Sequence, residues 1–131
     1  MLRPFGLEWR KCEEMLSKPL GGYAPVMMAR AGGLDQGNII PNLLDVGNGV
    51  GAGNYLFLAG SAINGIKNSQ GEYDPAIGAE AMMQALQVYR DGIFTQAEAE
   101  AGSGHAQELK AYADASGLAA LSAALSQRYG L

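Results

Sequence analysis

A chain of 131 residues is at most one domain, with room for a modest core. Charged residues make up 17% of it, against a soluble average of about 25%, and the net charge is −4. Nothing supplies the clustered cations that counterion release requires, which argues against nucleic acid as the main ligand. Sparse aromatic and β-branched residues argue against an all-β fold.

The charge is unevenly spread. Residues 1–34 carry Arg3, Arg10, Lys11, Lys18 and Arg30 against Glu8, Glu13 and Glu14, whereas residues 70–131 are strongly acidic. Head-to-tail assembly could use such polarity. Cys12 is the single cysteine, so neither an internal disulfide nor a thiolate metal cluster is expected. The opening Met-Leu-Arg-Pro-Phe-Gly lacks the apolar stretch of a secretion signal, and synthesis in the cytoplasm is the expectation.

In chain order, residues 7–17 predict a short helix, with Trp9, Cys12 and Leu16 at helical spacing, ended by Lys18-Pro19-Leu20-Gly21-Gly22. From there to Asn54 breakers dominate, and only Val26–Ala31 and Asn42–Val46 predict brief helical turns. So long a connection is itself a sign of function or disorder. Its Met27, Met28, Ile39, Ile40, Leu43 and Leu44 favour an ordered arm lying on something.

The least ordinary stretch is Val46–Ile66, which is 21 residues long and uncharged, with glycine at 47, 49, 51 and 53. Its spacing fits neither the dinucleotide fingerprint nor the phosphate loop, since Ile66-Lys67 follows Gly65 where Lys-Ser/Thr is needed. Two readings stay open. Small residues four apart (Gly47/Gly51, Gly49/Gly53, Ser61/Gly65) permit close backbone approach in an oligomer or a membrane. Asn48, Asn54 and Asn64 are costly in hydrocarbon, and glycines weaken a helix by about 1 kcal/mol each. The plainer reading is a glycine-rich turn leading into one buried helix, Tyr55–Ile66.

The second half is helical by every local signal. Asp74-Pro75 caps a helix running to about Arg90 and stopped by Gly92, with Ile77, Ala81, Leu86, Tyr89, Met82 and Met83 as its apolar face. Thr95–Glu98 matches a capping box, and that helix should break at Gly102-Ser103-Gly104. His105–Asp114 and Leu118–Tyr129 follow, separated by Ser116-Gly117, with Leu109, Tyr112 and Ala113, then Leu118, Leu121 and Leu125, inward. The expectation is a mainly α fold. A small Ala-rich helical hairpin or three-helix unit lies within residues 55–131, and one N-terminal helix and a long Gly-rich arm occupy residues 1–54.

No catalytic, cofactor or metal site is expected. His105, the single histidine, shares a face with Glu108 but has no further ligand at matching spacing, and a solvent-facing position near a helix start is the simpler reading. Glu72 with Asp74, and Glu98 with Glu100, lie where helix starts favour negative charge. Ser61 lacks the glycines of a nucleophile elbow. The candidate interface residues are Trp9, Gly47, Gly49, Gly51, Gly53, Tyr55 and Phe57.

In composition, residues 40–131 resemble small virion proteins of tailed phages, the internal or ejected ones, which combine Ala/Gly-rich helices with uncharged, membrane-active segments. The resemblance implies a non-catalytic structural protein acting as one copy in a larger assembly, with copies of itself and other proteins as partners and membrane contact open. Two other classes stand beside it: a small binding or regulatory protein with a single partner, and an accessory subunit of an enzyme.

Overall fold

A computed structural model of the chain describes residues 11, 14–16, 18, 21, 22, 27–47, 55–96 and 103–131. The elements in order are β1 (Met28–Arg30), α1 (Ile39–Gly47), β2 (Tyr55–Phe57), α2 (Gly60–Asn64), α3 (Pro75–Arg90), α4 (Ser103–Ala115) and α5 (Ala119–Tyr129). The fold is mainly α, and Lys11 and Glu14–Leu16 are helical where the N-terminal helix is expected. Cys12, Glu98 and Glu100 lie outside the described residues.

Helix α3 follows its sequence signals closely. Asp74 is extended, its carboxylate accepts from the Ala76 amide at 3.0 Å, and Pro75 occupies the first turn, where a missing N–H costs nothing. Gly92 then turns the chain out with φ +66°, a conformation open to glycine. The buried stripe of α3 is Gly78, Ala81, Met82, Ala85 and Val88, while Met83, expected on the apolar face, points to solvent.

α5 packs on both α3 and α4, and Leu109, Ala113, Leu121, Ala124 and Leu125 are fully buried. Lys110 and Asp114 pair at 2.8 Å on α4, and Ser122 of α5 donates to the same carboxylate. The Lys110 and Ser122 hydrogen bonds hold the Asp114 carboxyl below its usual 3.8.

The arm carries more regular structure than its breakers suggest. Val26–Ala31, expected as a helical turn, contains strand β1, and the turn expected at Asn42–Val46 is part of the longer α1. Pro41 sits in the first turn of α1, so it does not interrupt the helix. Leu34, Ile39 and Ile40 join the same core cluster as Leu109, Leu121 and Leu125, so what the arm lies on is the protein's own helical unit.

Two polar ties fasten that packing. Gln36 is fully buried and its Nε2 donates to the carbonyls of Ala62 in α2 and Gly78 in α3, at 2.9 and 3.1 Å. Asp35 receives the Tyr129 hydroxyl at 2.7 Å, the amides of Gly37 and Asn38, and the Arg128 Nε at 3.4 Å. The ring of Tyr129 lies where a β-carbon on Gly37 would stand, so a side chain at residue 37 would have to displace that ring. Burial first, then the Asp35 carboxylate, push the Tyr129 phenol above its usual 10.0.

Candidate assembly interface

β1 and β2 pair in parallel, with Met28 opposite Tyr55, Ala29 opposite Leu56 and Arg30 opposite Phe57. Strand side chains alternate between faces, and here the alternation separates two chemistries. Met28 and Arg30 are buried on the inner face. Phe57 packs against the core from the same side, and Tyr55 is half-buried beside it, its ring 6.4 Å from that of Phe57.

Arg30 anchors this inner face. Its guanidinium makes an ion pair with Asp45 at 2.9 Å, reaches Asn42 of α1 at 3.4 Å, and lies 5.3 Å from the Tyr55 ring centroid. Asn42 and Asp45 are three apart on α1, so one helix face presents both to the strand. A buried arginine held by carboxylate, amide and ring fixes β1 against α1.

The outer face is apolar. Ala29 and Leu56 point outward from the paired strands, and Met27 and Leu58 continue the same alternation beyond them. Met27 is 68% exposed, Leu56 48% and Leu58 49%. Parallel sheets are usually covered on both faces, and a two-stranded sheet is marginal by itself. Here one face is covered by the protein and the other carries apolar side chains into water.

Of the interface residues expected from sequence, Tyr55 and Phe57 belong to the inner face, and their neighbours Leu56 and Leu58 take the outer one. The exposed apolar side chains of the stretch are therefore one residue out of phase with those singled out from sequence. Because strand period is two, a one-residue change of phase exchanges the faces completely. Gly47 ends α1. Trp9, Gly49, Gly51 and Gly53 lie outside the described residues.

Tyr55–Ile66, read from sequence as one buried helix, is instead the strand β2, an extended Leu58-Ala59 step and the five-residue α2, with Ile66 fully buried after it. Among the described residues no helix is long and apolar enough to cross a membrane. Nor is any group of three or more His, Cys, Asp or Glu residues arranged there to hold a metal ion.

His105 departs from its expected solvent-facing position: it is fully buried, with its ring 4.9 Å from that of Phe94 and nearly perpendicular to it. α4 begins at Ser103, inside the expected Gly102–Gly104 break. His105 thus stands one helical turn before Leu109, on the buried face with Ala106 and Ala113.

Comparison with protein families, with curated proteins and with solved structures finds no match to this chain.

Proposed function

We propose that the protein is a non-catalytic structural component that works as one copy in a larger assembly, joined through the outer face of its two-stranded sheet. The observation that carries this reading is the run of Met27, Ala29, Leu56 and Leu58 on one exposed face. The occupant of that face is a second copy of the chain. A face-to-face contact about a two-fold axis places a patch on itself, which a charge-free patch tolerates and a charged one does not.

The size of the patch also fits an assembly. Three large side chains fall well short of the roughly 20–30 residues a side in a standard stable interface. Such a contact joins copies in pairs and holds in an assembly when other contacts reinforce it. The low charge of the chain, 17% of residues, agrees with a surface partly covered by partners. The compositional resemblance to tailed-phage virion proteins supplies the setting, an internal or connector-associated virion component made in the host cytoplasm.

The test is light scattering after size exclusion over a concentration series, for wild type and for Leu56→Glu combined with Leu58→Glu. Wild type should associate with rising concentration, and the double variant should stay monomeric with unchanged helical circular dichroism. A wild type that is monomeric throughout, or a variant that associates equally well, overturns the reading. Co-flotation of wild type with lipid vesicles, lost in the variant and without self-association, assigns the face to a membrane instead and also overturns it.

A further inference from the structure

On the side of the molecule where α5 ends lies a cleft of about 480 Å³, lined by Asp35, Gly65, Lys67, Gln127, Arg128 and Tyr129. Its walls are fixed to one another. The Gln127 side chain accepts from the Lys67 amide and donates to the Lys67 carbonyl, both at 2.9 Å, which clamps the turn after α2 onto α5. Arg128 spans from Asp35 to the Ser61 carbonyl at 3.3 Å, closing the other side.

The electrostatics of this cleft are lopsided. It contains one carboxylate, Asp35, and both of its oxygens are already taken by the Tyr129 hydroxyl, two amides and Arg128. Arg128 and Lys67 line it too, and with Arg128 paired to Asp35 the unbalanced charge is that of Lys67. A guanidinium has five N–H donors in a planar fork, and Arg128 uses only its Nε and one Nη among the described residues. The Lys67 ammonium lies 5.1 Å from the Tyr73 ring centroid and is paired with no carboxylate among the described residues.

We propose that this cleft binds a small oxyanion, a phosphate or carboxylate group, between Arg128 and Lys67. The outer edge of the guanidinium offers the paired donors that two oxygens of such a group accept, and the ammonium supplies a second, movable charge. A cation is disfavoured, since the single carboxylate of the cleft is already paired with Arg128 and Lys67 lines the same cleft. The C-terminal end of α5 opposes an anion, so the site is weak and needs both cations. The volume suits a small molecule. This inference is independent of the sheet face.

The full chain is titrated with inorganic phosphate, and separately with acetate, at constant ionic strength while backbone amide resonances are followed. Saturable shifts should centre on Gly65, Lys67 and Arg128. Lys67→Gln removes the charge and keeps the backbone hydrogen bonds to Gln127, so it should keep the fold and weaken phosphate binding at least fivefold. Arg128→Lys, which keeps the charge and loses the fork, should weaken it further, and Lys110→Gln on α4 should leave it unchanged. Response to phosphate alone, or to acetate as well, identifies the oxyanion. Absence of saturable shifts with both anions overturns the proposal, as does equal affinity in wild type and Lys67→Gln.

Discussion

Gly78 of α3 lies directly against the carbonyl of Ile63 in α2: a β-carbon placed on residue 78 would stand 2.1 Å from that oxygen and 2.7 Å from its carbon. Both partners are backbone, so neither can rotate away. Alanine in mid-helix ordinarily gains about 1 kcal/mol over glycine. Overpacking ordinarily costs about 1–3 kcal/mol, and more where the obstruction is rigid. The second effect wins here. Gly78→Ala should lower stability by about 2 kcal/mol or more in urea unfolding, and a variant more stable than wild type would show that α2 is not seated on α3 as described.

The same helix crossing is fastened by Gln36, whose Nε2 donates to the carbonyls of Ala62 and Gly78. Gln36→Glu keeps the shape and removes both donors. A buried carboxylate would then face two carbonyl oxygens, and the penalty for an uncompensated buried charge is about 3–5 kcal/mol. Burial raises the folded-state pKa of such a glutamate above its unfolded value. The stability difference from wild type should therefore be small below the unfolded value and grow as pH rises. Unfolding curves at acid and neutral pH that differ equally from wild type would contradict this role for Gln36.

These two residues mark the limit of what the sequence discloses. α3 was legible from end to end because Asp74, Pro75 and Gly92 are local signals with local causes. Leu118, Leu121 and Leu125 likewise declare the buried side of α5 by spacing alone. The β1–β2 pair is different, since three residues carry too little alternation to read and parallel pairing joins distant segments. Of the alternating glycines, Gly49, Gly51 and Gly53 lie outside the described residues, while Gly78, where α3 meets the α2 backbone, resembles any helix glycine in one dimension. Gln36 gives no local signal at all, because its partners are 26 and 42 residues away. Which side chains of Tyr55–Phe57 face inward is set by Arg30 of β1 reaching Asp45 of α1, and of those two elements the sequence signals only a brief helical turn at Asn42–Val46.

Asp114 gives a prediction at acid pH. Lys110 and Ser122 both hold its ionised form, so its folded pKa is below the usual 3.8. A depressed carboxylate contributes stability above its unfolded pKa and loses it as pH falls through the folded one. The group is exposed, so the contribution is small and salt-sensitive. Asp114→Asn should reduce stability slightly at neutral pH, and the difference from wild type should vanish in acid. A difference that persists unchanged at the lowest pH would assign the residue a packing role instead.

Tyr129 gives the corresponding prediction at alkaline pH. Burial and the neighbouring Asp35 carboxylate raise its phenol above the ordinary 10.0, against a smaller opposing effect of Arg128. For a group whose folded pKa is raised, the stability it contributes is complete below the unfolded value and is lost as pH climbs toward the folded one. The protein should therefore weaken progressively above the ordinary phenol range. In a spectroscopic titration the Tyr129 component should become phenolate only above the ordinary phenol range, as the fold opens. Tyr129→Phe removes that component. It also loses the hydrogen bond to Asp35, at a cost of about 1 kcal/mol because Arg128 and two amides still serve the carboxylate. Below pH 9 or so the variant should be the weaker protein by that amount, with the gap closing as pH rises. A phenolate titration identical in wild type and variant, apart from one tyrosine of ordinary pKa, would mean that the hydroxyl is not held on Asp35 in solution.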